Sequence, residues 1–292
     1  MSRNSCLVLL RPHQYLKNGF VFLGPLFGQQ WGLITLTEAM TVFLAFCAMA
    51  SAVYVLNDLM DIEADRAHPV KYARPLPSGR ISKSTAKRTL IGLLVVAIVL
   101  SLFVNKVVTS LVSSYLILNI FYSWRLKHIV ILDVFLISAG FMLRILAGTA
   151  GLSITPSAWL LLCGFMVTLF LGFAKRRAEL LAAGSSANGD NGLVRRVLDD
   201  YNPQMLELFI AITAACTIIA YGLYTVSPST VAIHGTTALI YTLPFVVYGI
   251  FRYLFLLHRH GKGNDTAKDL LQDYHLLTTV AAWLASTLWI IR

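Results

Sequence analysis

Charge is what this sequence has least of. Only 13% of its 292 residues are Asp, Glu, Lys or Arg, whereas 57% are apolar, and the mean hydropathy is +0.70. Soluble domains carry about a quarter charged residues, so this balance excludes an ordinary soluble domain. Acids are scarcer than bases, 14 against 24, which leaves a net charge of +10. Cysteine is also scarce: Cys6, Cys47, Cys163 and Cys216 are scattered, with no pair at redox or metal-ligand spacing, and read as packing residues. No Ser/His/Asp or Cys/His arrangement for nucleophilic catalysis is present. His258 and His260 lack carboxylates at ligand spacing, and Gly261-Lys262-Gly263 is a turn too short for a phosphate loop. A secretory signal is lacking too, since Arg3 and Arg11 are followed by Pro12 and a full-length apolar stretch without a small-residue cleavage site.

What is present is a succession of apolar stretches of roughly 20 residues, about the length that crosses a bilayer as a helix. Roughly nine are legible: 18–36, 38–56, 88–105, 107–123, 130–150, 156–174, 206–226, 233–256 and 273–291. Lys and Arg gather at the N-terminus and then in alternate connections, leaving only Lys106 and Arg292 on the opposite side. By the positive-inside rule the N-terminus is cytoplasmic and, with nine spans, the C-terminus lies outside. The expectation is an all-α, polytopic membrane protein, one domain over 1–292, with polar cytoplasmic loops at about 57–87, 123–130, 175–205 and 257–272. The net positive charge then reflects topology and an anionic ligand, and nucleic-acid binding is not needed to explain it.

Against that apolar background, Asn57-Asp58-x-x-Asp61-x-x-x-Asp65, followed by Lys71 and Arg74, costs stability and so points to chemistry. On a helix Asn57, Asp61 and Asp65 fall at i, i+4 and i+8 on one face, with Asp58 bordering it. Hard oxygen donors of this kind suit Mg²⁺, which shares them with substrate phosphates, and the bases that follow suit the remaining phosphate charge. A diphosphate substrate is the natural inference. The alternative, a solvated helix end, does not account for four polar side chains on one face.

Three lesser groups accompany it. Tyr122-Ser123-Trp-Arg125-Leu-Lys127-His128, with Asp133 beyond, has a plain reading as an aromatic and basic interfacial belt. Arg144 lies inside the fifth stretch, close to three helical turns past Asp133, and a charge at that depth faces a cavity, an ion partner or a ligand. Asp133 is placed either to hold it or to complete a second metal site. Lys175-Arg176-Arg177-Ala-Glu179 reads by itself as a stop-transfer anchor with a Lys175–Glu179 pair, and Lys17, beside Asn18, as a flank charge.

These residues resemble the UbiA superfamily of intramembrane prenyltransferases, through the Asn57–Asp65 signature and Arg74-Pro75-Leu-Pro-Ser-Gly79. Within it the closer likeness is to decaprenyl-phosphate phosphoribosyltransferases. That likeness is carried by Arg11-Pro12-His-Gln-x-x-Lys17-Asn18, Tyr122-Ser123-x-x-Leu126-Lys127-His128, Leu143-Arg144-Ile-x-Ala147-Gly148 and Lys175-Arg176-x-Ala178-Glu179-Leu180, with weaker support from Val197-Leu-x-x-Tyr201. The resemblance runs from about residue 11 to about residue 205. It implies nine helices around a central cavity open to the cytoplasmic side, in the inner membrane of a prokaryote. Typical members carry a second aspartate-rich motif with paired acids; here 122–133 offers Asp133 alone and supplies Tyr122 and Lys127 instead.

One metal cluster facing extra bases suits phosphoribosyl diphosphate (PRPP), which carries a diphosphate and a further phosphate. The implied reaction is Mg²⁺-dependent transfer of 5-phosphoribose to a polyprenyl phosphate. Asp58, Asp61 and Asp65 are the expected catalytic residues and, with Asn57, the metal ligands. Lys17, Lys71, Arg74, Tyr122, Lys127, Arg144, Lys175 and Arg176 are the expected substrate-binding residues. A homo-oligomer is compatible with this reading. The alternative is a prenyltransferase moving a prenyl group from its diphosphate to an aromatic or other acceptor. A transporter would need broken mid-membrane helices and charge spread through the depth, whereas charge here gathers at one face with Arg144 the main exception.

Overall fold

The computed structural model describes residues 3–67, 71–184, 198, 200–259, 263 and 266–292. Among them there is no strand. The helices are α1 (Arg3–Leu10), α2 (Leu23–Phe27), α3 (Leu33–Met60), α4 (Ile62–Ala67), α5 (Lys83–Val104), α6 (Lys106–Trp124), α7 (Leu132–Gly148), α8 (Ala158–Gly184), α9 (Pro203–Val226), α10 (Pro228–His234), α11 (Leu243–Arg259), α12 (Thr266–Gln272) and α13 (Tyr274–Ile290). Short 3₁₀ stretches join several of them, the longest at Pro12–Phe22. Seven of the described spans are long and apolar enough to cross a membrane, and the chain is a multi-pass integral membrane protein.

Local chemistry sets the boundaries. Asn105 ends α5 and begins α6, its side chain accepting from the Val108 N–H at 2.9 Å, so a single extended residue turns the chain. Asn202 and Ser227 cap α9 and α10, each with proline at the next position, and Asp273 caps α13. The expected stretches 18–36 and 273–291 account for the difference between nine and seven. Pro25 and the neighbouring glycines break the first into the end of the 3₁₀ stretch, α2, a turn at Gly28–Gln29 and the start of α3. The last forms α13, a 17-residue helix.

The chain divides into two compact units, Met1–Leu126 with Leu143–Ile154, and Lys127–Met142 with Thr155–Arg292. In the first, α3 is the central element. It buries 67% of its apolar window against 11% for α5, because Ala39, Ala45, Ala48, Ala50 and Ala52 let neighbours approach closely. Its Val42, Phe46 and Met49 share a core with Val108, Val112 and Ala147. A satellite cluster of Leu9, Val55, Ile62, Leu76, Ile81 and Ala86 lies under the Arg74–Gly79 loop. In the second unit, α8 and α9 pack on one core with Phe170, Phe173, Leu206, Ile210, Tyr253 and Leu257.

The 3₁₀ stretch and the end of α7 meet with backbones almost touching. A Cβ at Gly148 would lie 1.8 Å from the Val21 carbonyl oxygen, and one at Gly24 would lie 1.7 Å from that of Gly148. Gly148→Ala is therefore expected to push the two segments apart and cost about 1–3 kcal/mol, the range for overpacking. Thermal unfolding in detergent checks this, with Gly92→Ala, at a glycine with open space around it, as the control.

Candidate functional site

The acidic signature lies where α3 passes into α4. The Asp61 N–H donates to the Asn57 carbonyl at 2.9 Å and the Asp65 N–H to the Asp61 carbonyl at 2.8 Å, so helical spacing persists across the junction. Asp58 and Asp65 are buried and Asn57 and Asp61 half-buried. Arg74 reaches both buried carboxylates through one nitrogen: its Nη1 donates to Asp65 Oδ2 at 2.7 Å and to Asp58 Oδ1 at 3.4 Å. Arg11 Nη2 donates to the same Asp58 oxygen at 2.6 Å. Asn57 is oriented from α6, its Oδ1 accepting from the Ser123 hydroxyl at 2.7 Å.

Arg74 is presented by a tightly built loop. Pro75 and Pro77 restrict the backbone, Leu76 is buried in the cluster beneath, and Gly79 takes φ +76°, which favours glycine. The Ile81 N–H closes the loop on the Pro75 carbonyl at 3.0 Å. Lys71, half-buried, begins the short 3₁₀ turn before it.

Arg11 arrives on the Pro12–Phe22 stretch, which runs as a strap along α3. Cys47, Ser51, Tyr54 and Asp58, spaced by four, three and four, make one face of that helix. Each meets the strap or its start. Asn18 donates to Cys47 Sγ at 3.2 Å, and Tyr15 shares a 2.8 Å hydrogen bond with Ser51, which also donates to the Leu10 carbonyl. Arg11 lies 4.8 Å over the Tyr54 ring before reaching Asp58. Arg11 itself adopts a left-handed backbone, φ 53° and ψ 57°, uncommon for a residue other than glycine. Lys17 is half-buried on the same strap.

Arg144 holds the strap's far end. Its Nε donates to Asn18 Oδ1 at 2.7 Å and its Nη2 to the Tyr115 hydroxyl at 3.1 Å. The guanidinium lies 4.5 Å over the Tyr115 ring and 5.4 Å from the Phe46 ring centre. Phe46 precedes Asp58 by about 18 Å of helix rise. Arg144 is thus separated from the carboxylates, in a pocket built of an amide and two aromatic rings.

Among the expected residues of the second unit, Asp133 and Arg176 are fully buried and paired, Arg176 Nε to Asp133 Oδ2 at 2.6 Å. The other Asp133 oxygen accepts from the Tyr201 hydroxyl at 2.8 Å, and that hydroxyl accepts from the Ile131 N–H at 2.7 Å. Burial, with the Asp133 carboxylate beside it, holds the Tyr201 phenol above its usual range, so it stays a donor. Arg176 also pairs with Glu179, which Lys175 approaches at 3.7 Å. Asp133 is engaged by Arg176 and Tyr201, whereas Arg144 joins Asn18 and Tyr115, so the Asp133–Arg144 pair that spacing left open is not the one formed. Lys127 and Lys175 are half-buried in this unit and Tyr122 half-buried in the first, beside Ser123.

Arg11, Asn18, Tyr115, Ser123 and Tyr201 carry contacts that spacing within one segment does not disclose. Arg11, Asn18, Ser123 and Tyr201 do fall in the motif stretches, which was the available signal; Tyr115 had none. Arg252, also unremarked in the sequence, pairs with Asp273 through both guanidinium and carboxylate edges at 2.8 and 3.2 Å.

Among the described residues no three His, Cys, Asp or Glu side chains stand close enough to close a metal cage. Mg²⁺ is commonly held by only one or two carboxylates together with substrate phosphates. The oxygen donors here, with two buried carboxylates already converging on one cationic nitrogen, fit an ion of that kind.

Tyr201→Phe removes both an acceptor for the Ile131 N–H and a donor to Asp133, and is expected to cost about 1–3 kcal/mol. Asp133→Ala is expected to cost more, about 3–5 kcal/mol, because a buried arginine loses a partner. Denaturation in detergent measures both; equal effects would rule out the buried pair as the dominant interaction.

Comparison with known proteins places these residues in a family. The model of the UbiA prenyltransferase family matches residues 19–276. The decaprenyl-phosphate phosphoribosyltransferase of Corynebacterium glutamicum is 31% identical over 288 residues, covering 94% of this chain and 83% of that protein. That of Mycolicibacterium smegmatis is 34% identical over 225 residues, covering 75% and 69%. The structure of a UbiA homolog from Archaeoglobus fulgidus bound to GPP and Mg²⁺ aligns with a TM-score of 0.73 over 98% of this chain and 99% of that one, at 18% identity, a likeness of fold. With the Asn57–Asp65 signature at the end of α3 and a family match over most of its length, the chain belongs to the UbiA prenyltransferase family.

Proposed function

We propose that this protein transfers 5-phosphoribose from PRPP to a polyprenyl phosphate, releasing diphosphate, at the cytoplasmic side of a prokaryotic inner membrane. The observation that carries the reading is the convergence of Asp58 and Asp65 on Arg74, with Arg11 on Asp58, at the end of α3 that also carries Asn57 and Asp61. It is supported by the names of relatives matched over most of the chain.

Asn57, Asp58, Asp61 and Asp65 would hold Mg²⁺, which when bound supplies charge neutralisation for the diphosphate. Arg74, Lys71 and Arg11 take the diphosphate oxygens, charge-assisted donors being suited to developing negative charge. The bond from ribose C1 to the diphosphate oxygen breaks with its electron pair leaving on diphosphate, through an oxocarbenium-like C1. A phosphate oxygen of the polyprenyl phosphate forms the new bond to C1. That oxygen is already anionic near neutral pH, so no general base is needed. Lys17, Tyr122, Lys127 and Lys175 are the candidates for the 5-phosphate and the acceptor phosphate. Arg176 acts by orienting Glu179 beside Lys175, and Arg144 by anchoring the strap that delivers Arg11.

The second reading, prenyl transfer from a prenyl diphosphate, is favoured by the family's general activity. Purified protein with Mg²⁺, a polyprenyl phosphate and PRPP labelled in the ribose separates the two. Label is expected to enter the organic phase and to stop doing so with chelator; turnover of a prenyl diphosphate without label transfer would replace the first reading with the second. Asp61→Asn is expected to abolish transfer with unchanged thermal unfolding, and retained Mg²⁺-dependent activity would remove Asp61 from the metal set.

A further inference from the structure

We propose that Arg74 is an exchangeable counter-ion: without metal its guanidinium bridges Asp58 and Asp65, and a divalent cation takes its place and releases it to the substrate's phosphates. The proposal rests on the reading above that these carboxylates hold a divalent ion. Three features of the geometry point to it.

First, a single nitrogen of Arg74 contacts an oxygen of each carboxylate, so one cationic centre already serves both acids. Arg11 adds a second guanidinium on the same Asp58 oxygen, so the pair is neutralised by two monovalent groups where one divalent ion suffices. Secondly, the acids are the fixed partners and the arginines the movable ones. The Asp58 and Asp65 side chains are 4% exposed and sit on helices, whereas Arg74 is 33% and Arg11 25% exposed, on a loop and at the start of the strap. Thirdly, the Arg74 loop is held by buried Leu76 and by the Ile81–Pro75 hydrogen bond, so its side chain can swing without unfolding the backbone. A buried carboxylate pair without a cation is strongly destabilised. The guanidinium therefore keeps the metal-free protein folded at the cost of competing with the metal, and metal entry switches Arg74 from acid partner to phosphate ligand.

Mn²⁺ binding without substrate, read by electron paramagnetic resonance of the free ion, tests this alongside thermal unfolding with and without Mn²⁺. Arg74→Gln is expected to tighten Mn²⁺ binding about five-fold or more, the lower end of ordinary site coupling. It is also expected to lower the Tm of the metal-free protein, with the gap from wild type closing at saturating Mn²⁺. Arg74→Lys, which keeps the charge but not the planar fork, should fall between; with Arg11→Gln it carries the test if Arg74→Gln does not fold. Mn²⁺ binding that is unchanged or weaker in the variants, with label transfer lost, would overturn the exchange and leave the proposed function standing. Failure of wild type and every variant to bind Mn²⁺ without substrate would overturn the exchange, and failure that persists with PRPP present would overturn the metal-dependent reading as well.

Discussion

Everything in the first unit turns on neutralising two carboxylates that are almost wholly buried. Asp58 and Asp65 carry charge into a bundle whose other faces are built for apolar surroundings, and an isolated charge there costs several kcal/mol or more. Arg74 and Arg11 answer that need, and much of the unit serves to bring them there. The proline-bounded loop carries one, and the 3₁₀ strap carries the other.

The strap is itself a polar structure inside apolar packing. Its contacts to Cys47, Ser51, Tyr54 and Asp58 follow α3 at helical spacing, and Arg144 closes its far end through Asn18. Interhelical hydrogen bonds of this kind hold helices together where lipid offers no hydrophobic drive for association. The close approach of Gly148 to Val21 lets Arg144 and Asn18 meet. The Arg144 guanidinium meets the Asn18 amide oxygen, the Tyr115 hydroxyl and two ring faces, whose quadrupoles attract a cation.

In the second unit the same problem is solved differently. Asp133, Arg176, Tyr201 and Glu179 form a network in which both Asp133 oxygens have partners, so it ties the residue at 201 to the start of α7 and to α8. Such satisfied networks rigidify what they join. In sequence Asp133 stands alone, and its buried charge is matched by Arg176.

The apolar runs, the scarcity of charge and the helical spacing of Asn57, Asp61 and Asp65 determined the all-helical membrane class and the main polar site, because length, hydropathy and one-face periodicity are local properties of the chain. Pro25 and its neighbouring glycines were equally legible as an interruption of the first run. Which base meets which acid was not legible. Arg144 and Asp133 share a helix and a face, yet Arg144 joins Asn18 and Tyr115 while Asp133 joins Arg176 and Tyr201. Arg11, remote in sequence, reaches Asp58. Pairings of that kind depend on how distant segments approach one another, and only the tertiary structure, through backbone contacts as close as Gly148 on Val21, decided them.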